Sequence, residues 1–396
     1  MPGFEWFGEE ERREVAEVLE TGVLFRYGFV AQRQGRWKAR ELEGALCRRL
    51  GVRHCHAVSS GTAALQTALA ACGIGAGDEV IVPPFTFVAT IESVVLSGAV
   101  PVFAEIDETL CLDPERVRER ITERTRAVLV VHMCGAMARI DALQSLCRER
   151  GLVLIEDTAQ ALGASFQGRA LGTFGAMGCY SFDPVKTITA GEGGAVVTDD
   201  ERLYHLAEQY ADHGHDHLGG ADRGADGHPI MGTNFRISEL HAAVGLAQLR
   251  KLDRILDVQR RHKAVLRASF AQSPEIAFRS LPDPQGDSAT FLSVLTPDAA
   301  RARELQQELT KAGCGPAFYW YDNNWHYLRR WDHIRHLRLP MRPALHLLEP
   351  PPDLESAETP RSDAVMARTL SLPVSLGWDQ AELERRARAI RSVLGT

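Results

Sequence analysis

Between residues 54 and 198 short apolar runs alternate with longer amphipathic stretches, and this rhythm leaves few architectures open. The runs fall at 55–58, 80–82, 100–106, 128–131, 153–155, 179–182 and 195–197. Helical patterns fit between most of them, at 62–72, 88–96, 114–121 and 140–150. Strand and helix in alternation predict a mostly parallel seven-stranded sheet covered by helices, an α/β fold. Ligands of such sheets collect at the carboxyl ends of the strands. Those ends are where this sequence places its unusual residues.

At the first end, Ser59-Ser60-Gly61-Thr62 lies between a strand and a helix. Open backbone N–H groups and the positive end of the helix dipole suit a phosphate there. A plain serine N-cap accounts for the same letters. At the second end, Phe85 and Phe87 follow two prolines; such an aromatic can stack on a flat ring or simply fill core. His132 follows the 128–131 run and suits either a ligand contact or a cap. Asp157 ends the 153–155 run and Gln160 follows three residues on. A carboxylate at mid-sheet needs a partner, and a protonated ring nitrogen would be one. Lys186 lies between the 179–182 run and the turn Gly191-Glu192-Gly193-Gly194. A desolvated amine in such a turn can form a Schiff base with a carbonyl, although a surface loop lysine is the plain alternative.

Further segments carry two meanings each. Residues 26–38 carry three arginines and one lysine; they form either a loop for an anionic ligand or a solvated connector. Alternate histidines in Asp212-His213-Gly214-His215-Asp216-His217 suggest a metal, but no second ligand cluster accompanies them, and a substrate-facing loop is preferred. The aromatic stretch 318–327, with Tyr321 and Asn324, fits sugar recognition or a packing cluster. Past the helical pattern at 240–256 the character changes. A large domain over residues 1–255 and a smaller α+β domain over 256–396 are expected.

A net charge of −7 with no dense basic stretch argues against nucleic acid. No apolar run approaches the length of a membrane span, and the first residues lack a signal-peptide pattern. Eight scattered cysteines without a C-x-x-C suit reduced thiols and a cytoplasmic location.

Four motifs, taken together, resemble the DegT/DnrJ/EryC1/StrS sugar aminotransferase family across residues 10–260. They are Ser60-Gly61-Thr62-Ala63-Ala64-Leu65, Glu156-Asp157-Thr158-Ala159-Gln160, Ser181-Phe182 with Lys186-Thr187 and Gly191-Glu192-Gly193-Gly194, and Asn234-Phe235-Arg236-Ile237-Ser238-Glu239. The resemblance implies the aspartate-aminotransferase fold (type I of the pyridoxal-phosphate enzymes) and pyridoxal 5'-phosphate as cofactor. It implies that Lys186 bonds the cofactor and moves the proton, and that Asp157 pairs with the pyridine nitrogen. Ser60, Gly61, Thr62 and Ser181 would hold the phosphate, with Asn234 reaching it from a partner subunit of a homodimer. Phe87 would stack on the ring, and Gln160 would lie near its hydroxyl. Asp183 departs from the pattern, since relatives usually carry histidine there.

The resemblance further implies transfer of an amino group from L-glutamate to a carbonyl-bearing sugar, with an 8-oxo-Kdo-type acid sugar as the finer expectation. Arg26, His132, His215, Tyr321 and Asn324 are the candidate substrate contacts, and no metal site is expected. One alternative is an aminotransferase or aminodehydratase for a nucleotide-linked keto sugar or a cyclic ketone in antibiotic biosynthesis. Another is a non-catalytic regulator on the same fold, against which the retention of Lys186 and Asp157 speaks.

Overall fold

The computed structural model describes residues 3–219 and 223–396; Met1 and Pro2, read above for a signal peptide, lie outside them. The strands in chain order are β1 (His54–Val58), β2 (Glu79–Val82), β3 (Val100–Phe103), β4 (Thr125–Val131), β5 (Val153–Asp157), a two-residue-arm hairpin β6 (Ser165–Phe166) and β7 (Arg169–Ala170), β8 (Met177–Ser181), β9 (Gly194–Thr198), β10 (Ala277–Phe278), β11 (Phe291–Leu295) and β12 (Thr369–Pro373). The helices used below are α1 (Glu9–Thr21), α2 (Lys38–Leu50), α3 (Gly61–Ala71), α4 (Ala89–Leu96), α5 (Pro114–Arg120), α6 (Ile140–Arg150), α7 (Glu201–Ala211), α8 (Glu239–Arg250), α9 (Leu252–Phe270) and α10 (Ala299–Lys311).

All seven apolar runs form one sheet, in the order β1-β9-β8-β5-β4-β2-β3. Its central pairs are parallel, and β9 alone runs against its neighbours β1 and β8. Strands covered on both faces must be apolar throughout, which is why β2, β8 and β9 are buried along their whole length. The register brings Val131, Asp157 and Cys179 into line across β4, β5 and β8. It likewise aligns Ser181, Gly194 and Val58 across β8, β9 and β1. The carboxyl ends of the parallel strands therefore share one edge with the start of β9.

The second sheet, β10-β11-β12, is antiparallel, and α9, α10 and the helix Gln380–Leu394 cover it through Phe270, Leu292, Leu305, Leu370 and Ile390. The domain boundary expected after residue 255 falls inside α9. The helical pattern read as 240–256 breaks earlier, at Lys251. There the ammonium is held by Glu11 (2.6 Å) and the Trp6 carbonyl (2.8 Å). Leu345 and Leu354, from the proline-rich stretch read as loop, bury against the core of the large sheet.

The basic residues of 26–38 do not form an open anion loop, although Phe29 and Val30 between them are exposed. Arg26 and Arg33 are buried, at 4% and 1% exposure, and so is Lys38. Arg26 pairs with Glu43 at 2.7 Å and donates to the Ala57 carbonyl. Arg33 faces Glu239 at 3.4 Å, and Lys38 meets Glu14 and Glu17 at 2.6 Å each. Arg33 ties the segment to α8, Arg26 ties it to α2, and Lys38 ties α2 to α1. A buried cation is tolerated when paired and hydrogen-bonded, and each of these is.

Candidate active site

The shared sheet edge opens into a cavity of about 370 Å³. Eight of the residues singled out in the sequence line it: Ser60, Gly61, Thr62, Phe87, Asp157, Gln160, Ser181 and Lys186. They come from several strand ends, helix starts and turns that are far apart in the chain.

Helix α3 starts in the wall. Ser60 caps it, its Oγ accepting from the Ala63 N–H at 3.0 Å, and its carbonyl accepts from Ala64. The N–H groups of Gly61 and Thr62 therefore have no intrahelical acceptor and stay open to an anion. Both meanings of this motif hold at once: the serine is a cap, and the cap leaves two donors free. A Cβ on Gly61 would lie 2.7 Å from Ser181 Cβ, so the cradle needs a glycine. The Ser181 hydroxyl completes the donor set.

At the far end Asp157 closes β5 and is buried. Its Oδ2 accepts from Thr90 Oγ1 at 2.8 Å and its Oδ1 from the Ala159 N–H at 3.1 Å. Thr90 Oγ1 lies 2.7 Å from Thr86 Oγ1. Thr90 gives its only proton to the carboxylate, so Thr86 donates to Thr90. Burial pushes the Asp157 carboxyl above its usual range, and these two bonds with the Lys186 charge only partly offset it. A cation arriving beside it would remove that penalty.

Lys186 is buried, with Nζ 5.8 Å from the centre of the Phe87 ring and 3.6 Å from Asp183 Oδ2. Phe87 lies parallel to Trp325, 8° between planes at 6.0 Å, and 5.4 Å from His326. Burial, and then the Lys186 charge, hold the His326 imidazole down at about 3, so it is neutral. Gln160 Oε1 accepts from the Cys134 N–H at 3.0 Å, which leaves its NH2 for the cavity.

The remaining sequence-predicted positions lie elsewhere in this chain. His132 sits one layer beneath the cavity. Its Nδ1 accepts from Ala138 N–H, so Nε2–H donates to Glu156 at 3.0 Å, and Glu156 also takes the N–H groups of Gly172, Phe174 and Gly175. Arg26 is spent on Glu43. His215 faces Asp226 at 3.3 Å and His228 at 4.3 Å between ring centres. Tyr321 accepts from Arg329, and Asn324 from Arg330 at 3.0 Å. Asn234 is exposed on the Asp212 loop, outside the cavity wall. Asp212 itself is buried between Arg223 and Arg236; their bonds outweigh burial and hold it below its usual range. Among the described residues no group of three metal-ligating side chains converges.

Three contributors are not evident from the sequence patterns. Thr86 and Thr90, four residues apart where a loop becomes an apolar helix, read as ordinary polar letters, and only their burial beside Asp157 sets them apart. Glu192 was visible only as part of the glycine-rich turn.

The residues fit pyridoxal 5'-phosphate: an anion cradle at one end, a buried carboxylate at the other, an amine and an aromatic face between.

Comparison with known proteins agrees. The model of the DegT/DnrJ/EryC1/StrS aminotransferase family matches residues 7–391. The chain is similar to an L-glutamine:2-deoxy-scyllo-inosose aminotransferase of Streptomyces kanamyceticus, 47% identical over 227 residues, 54% of this chain and 52% of that protein. It thus spans about half the length of that relative. GDP-perosamine synthase of Vibrio cholerae is 40% identical over 269 residues, 67% of this chain and 69% of that protein. The solved aminotransferase of Psychrobacter cryohalolentis superposes with a TM-score of 0.84 at 26% identity, covering 99% of this chain and 98% of that one. The chain belongs to the DegT/DnrJ/EryC1/StrS aminotransferase family.

Proposed function

We propose that this protein is a pyridoxal-phosphate-dependent aminotransferase. It moves an amino group from L-glutamate, or from the L-glutamine named for its relatives, to the carbonyl carbon of a polyhydroxylated sugar or cyclitol. One observation carries this reading: eight residues from distant parts of the chain meet around a single cavity with an amine and a buried carboxylate in it. When bound, the cofactor supplies an aldehyde that carries the amino group and a ring that accepts electrons from the substrate carbon.

The chain's own residues supply the rest. Gly61, Thr62 and Ser181 bind the phosphate through N–H and O–H donors. Asp157, made costly to ionise by burial, is stabilised by a protonated ring nitrogen and keeps that proton in place. Phe87 covers one face of the ring and excludes water from it. Lys186 is the group placed to take and return the proton at the substrate carbon.

What the wall lacks supports a shared site in a homodimer. Among the described residues that line the cavity, Lys186 is the only cation, beside Asp157, Asp183 and Glu192. A phosphate and a donor carboxylate call for more positive charge than that, and Asn234 lies on a loop that a second copy would have to present. Leu19, Leu24, Phe29 and Val30 are exposed on the N-terminal segment and offer apolar surface for such a partner. The acid-sugar acceptor expected from the arginines of residues 26–36 gets no support from Arg26 and Arg33, which are paired internally. A neutral keto sugar or cyclitol is the acceptor this reading favours.

Borohydride reduction of the cofactor-loaded protein, followed by peptide mass mapping, tests the assignment. The expected result is a label on the peptide bearing Lys186 and bleaching of the yellow colour by L-glutamate or L-glutamine before reduction. A label elsewhere, or none, refutes it.

A further inference from the structure

The turn Met133–Gly135, just after β4, carries strained backbone at the cavity wall. Met133 lines the cavity. Cys134 is left-handed at φ 55° and Gly135 follows at φ 80°. A left-handed residue that bears a Cβ is costly, and it persists only where the surroundings over-determine it. At Gly135 a Cβ would collide with Thr290 Oγ1 and Ser288 Oγ, so only glycine fits.

The surroundings that hold this turn come largely from the second-sheet part of the chain. Arg279, just past β10, donates Nη1 to the Met133 carbonyl at 2.6 Å. Ser288, just before β11, gives the Gly135 carbonyl its N–H at 3.0 Å and its hydroxyl at 2.9 Å. Arg279 is buried, and it also donates Nε to the Thr109 carbonyl at 2.6 Å and Nη2 to Cys111 Sγ at 3.3 Å. Its guanidinium thus reaches three points on the loops of the large sheet. The carboxylate beside Ser288, Asp287, is engaged by Lys263 instead.

On its other side the turn meets Gln160, whose Oε1 accepts from the Cys134 N–H at 3.0 Å. That bond has one possible sense. A backbone N–H needs an acceptor, so the amide oxygen must face Cys134 and the NH2 must face the cavity. Turned over, the amide would offer the cavity an acceptor and leave a buried N–H unsatisfied.

We infer that Arg279 is a positioning residue: by gripping the Met133 carbonyl it keeps the left-handed turn in place, and the turn holds Gln160 with a donor facing the cofactor pocket. The second-sheet part of the chain thereby sets one wall of a site built on the first. The inference rests on the aminotransferase reading for the identity of the ligand, pyridoxal 5'-phosphate.

The test is a double-mutant cycle on affinity for pyridoxal 5'-phosphate, read by fluorescence titration of the apoprotein in the wild type, Gln160→Met, Arg279→Met and the pair. Gln160→Met keeps the side-chain length and loses the donor. In the wild-type background it should weaken binding by at least about tenfold, the size of one hydrogen bond lost to a charged ligand. In the Arg279→Met background the same change should cost less than about threefold, because the amide is no longer fixed. Should Arg279→Met fail to fold, the cycle is run with Ser288→Ala, which removes one of the two bonds to the Gly135 carbonyl, and the Gln160→Met penalty should again shrink. An equal penalty in both backgrounds overturns the inference: Arg279 then only joins two parts of the chain, and the aminotransferase reading stands. Wild-type affinity in Gln160→Met overturns it too, since that side chain then gives the cofactor no donor. A wild-type protein that binds no pyridoxal phosphate and takes no borohydride label at Lys186 sinks both.

Discussion

Thr90 offers the sharpest perturbation of the site, because it touches the cofactor's expected anchor without lining up in any sequence motif. In Thr90→Val the side chain keeps its shape and loses the hydroxyl that donates to Asp157 Oδ2 at 2.8 Å. A hydrogen bond to a charged group contributes about 1.5–3 kcal/mol. At about 1.36 kcal/mol per pKa unit, its loss moves the Asp157 carboxyl up by about 1–2 units beyond the rise that burial already imposes. The ionised carboxylate is the form that holds a protonated ring nitrogen. The acid limb of cofactor affinity, followed by fluorescence titration across pH, should therefore move up by about 1–2 pH units. Thr90→Ser keeps the donor and should behave as wild type.

The apoprotein carries an independent readout with a definite sign. A carboxyl whose folded pKa is raised leaves stability at its full value below the unfolded pKa, and stability declines as pH rises from there to the folded pKa. Apoprotein stability should thus fall as pH climbs toward the elevated Asp157 value, and Thr90→Val should extend that fall to higher pH. A variant whose affinity drops equally at every pH, with an unmoved stability profile, would show that Thr90 merely packs.

Two further substitutions separate binding roles from structural ones. Gly61→Ala puts a methyl 2.7 Å from Ser181 Cβ and forces the wall to shift, so cofactor affinity in a fluorescence titration should fall by at least about tenfold, some 1.4 kcal/mol. Wild-type affinity would mean that the helix N-terminus does not hold the phosphate. Arg26→Ala leaves Glu43 without its cation, at a cost of about 3–5 kcal/mol in denaturant unfolding, while the acceptor KM should stay put. A raised KM with unchanged stability would return Arg26 to the substrate site.

The strands were legible because burial on both faces forces an apolar run, and runs of three to seven residues between helical patterns are too short for helices of their own. The same logic exposed Asp157 and Lys186, charged letters at places where charge is costly. The small residues it singled out at strand ends, Ser60, Gly61, Thr62 and Ser181, meet in one cavity wall. The logic failed where a letter's meaning depends on a distant partner. Arg26, Arg33 and Lys38 looked like a ligand-binding array, yet their partners Glu43, Glu239 and Glu14 lie on three different helices. His132 looked like a ligand contact, and its two ring nitrogens are fully used beneath the site by Ala138 and Glu156. His215 faces Asp226, Tyr321 accepts from Arg329, and Asn324 Oδ1 accepts from Arg330.

What the sequence determined alone was local and periodic: which segments bury, where strands end, which turns need glycine, and which charged groups sit at the edge of the sheet. Those follow from backbone geometry and from the cost of taking polar groups out of water, both of which act over a few residues. The tertiary structure decided the pairings. That β9 runs antiparallel, that Thr90 reaches Asp157 across 67 positions of sequence, and that Arg26 is consumed by Glu43 all depend on which helices and strands become neighbours. A hydrogen bond or ion pair is satisfied by whatever group comes within about 3 Å, and only the folded chain fixes which one that is.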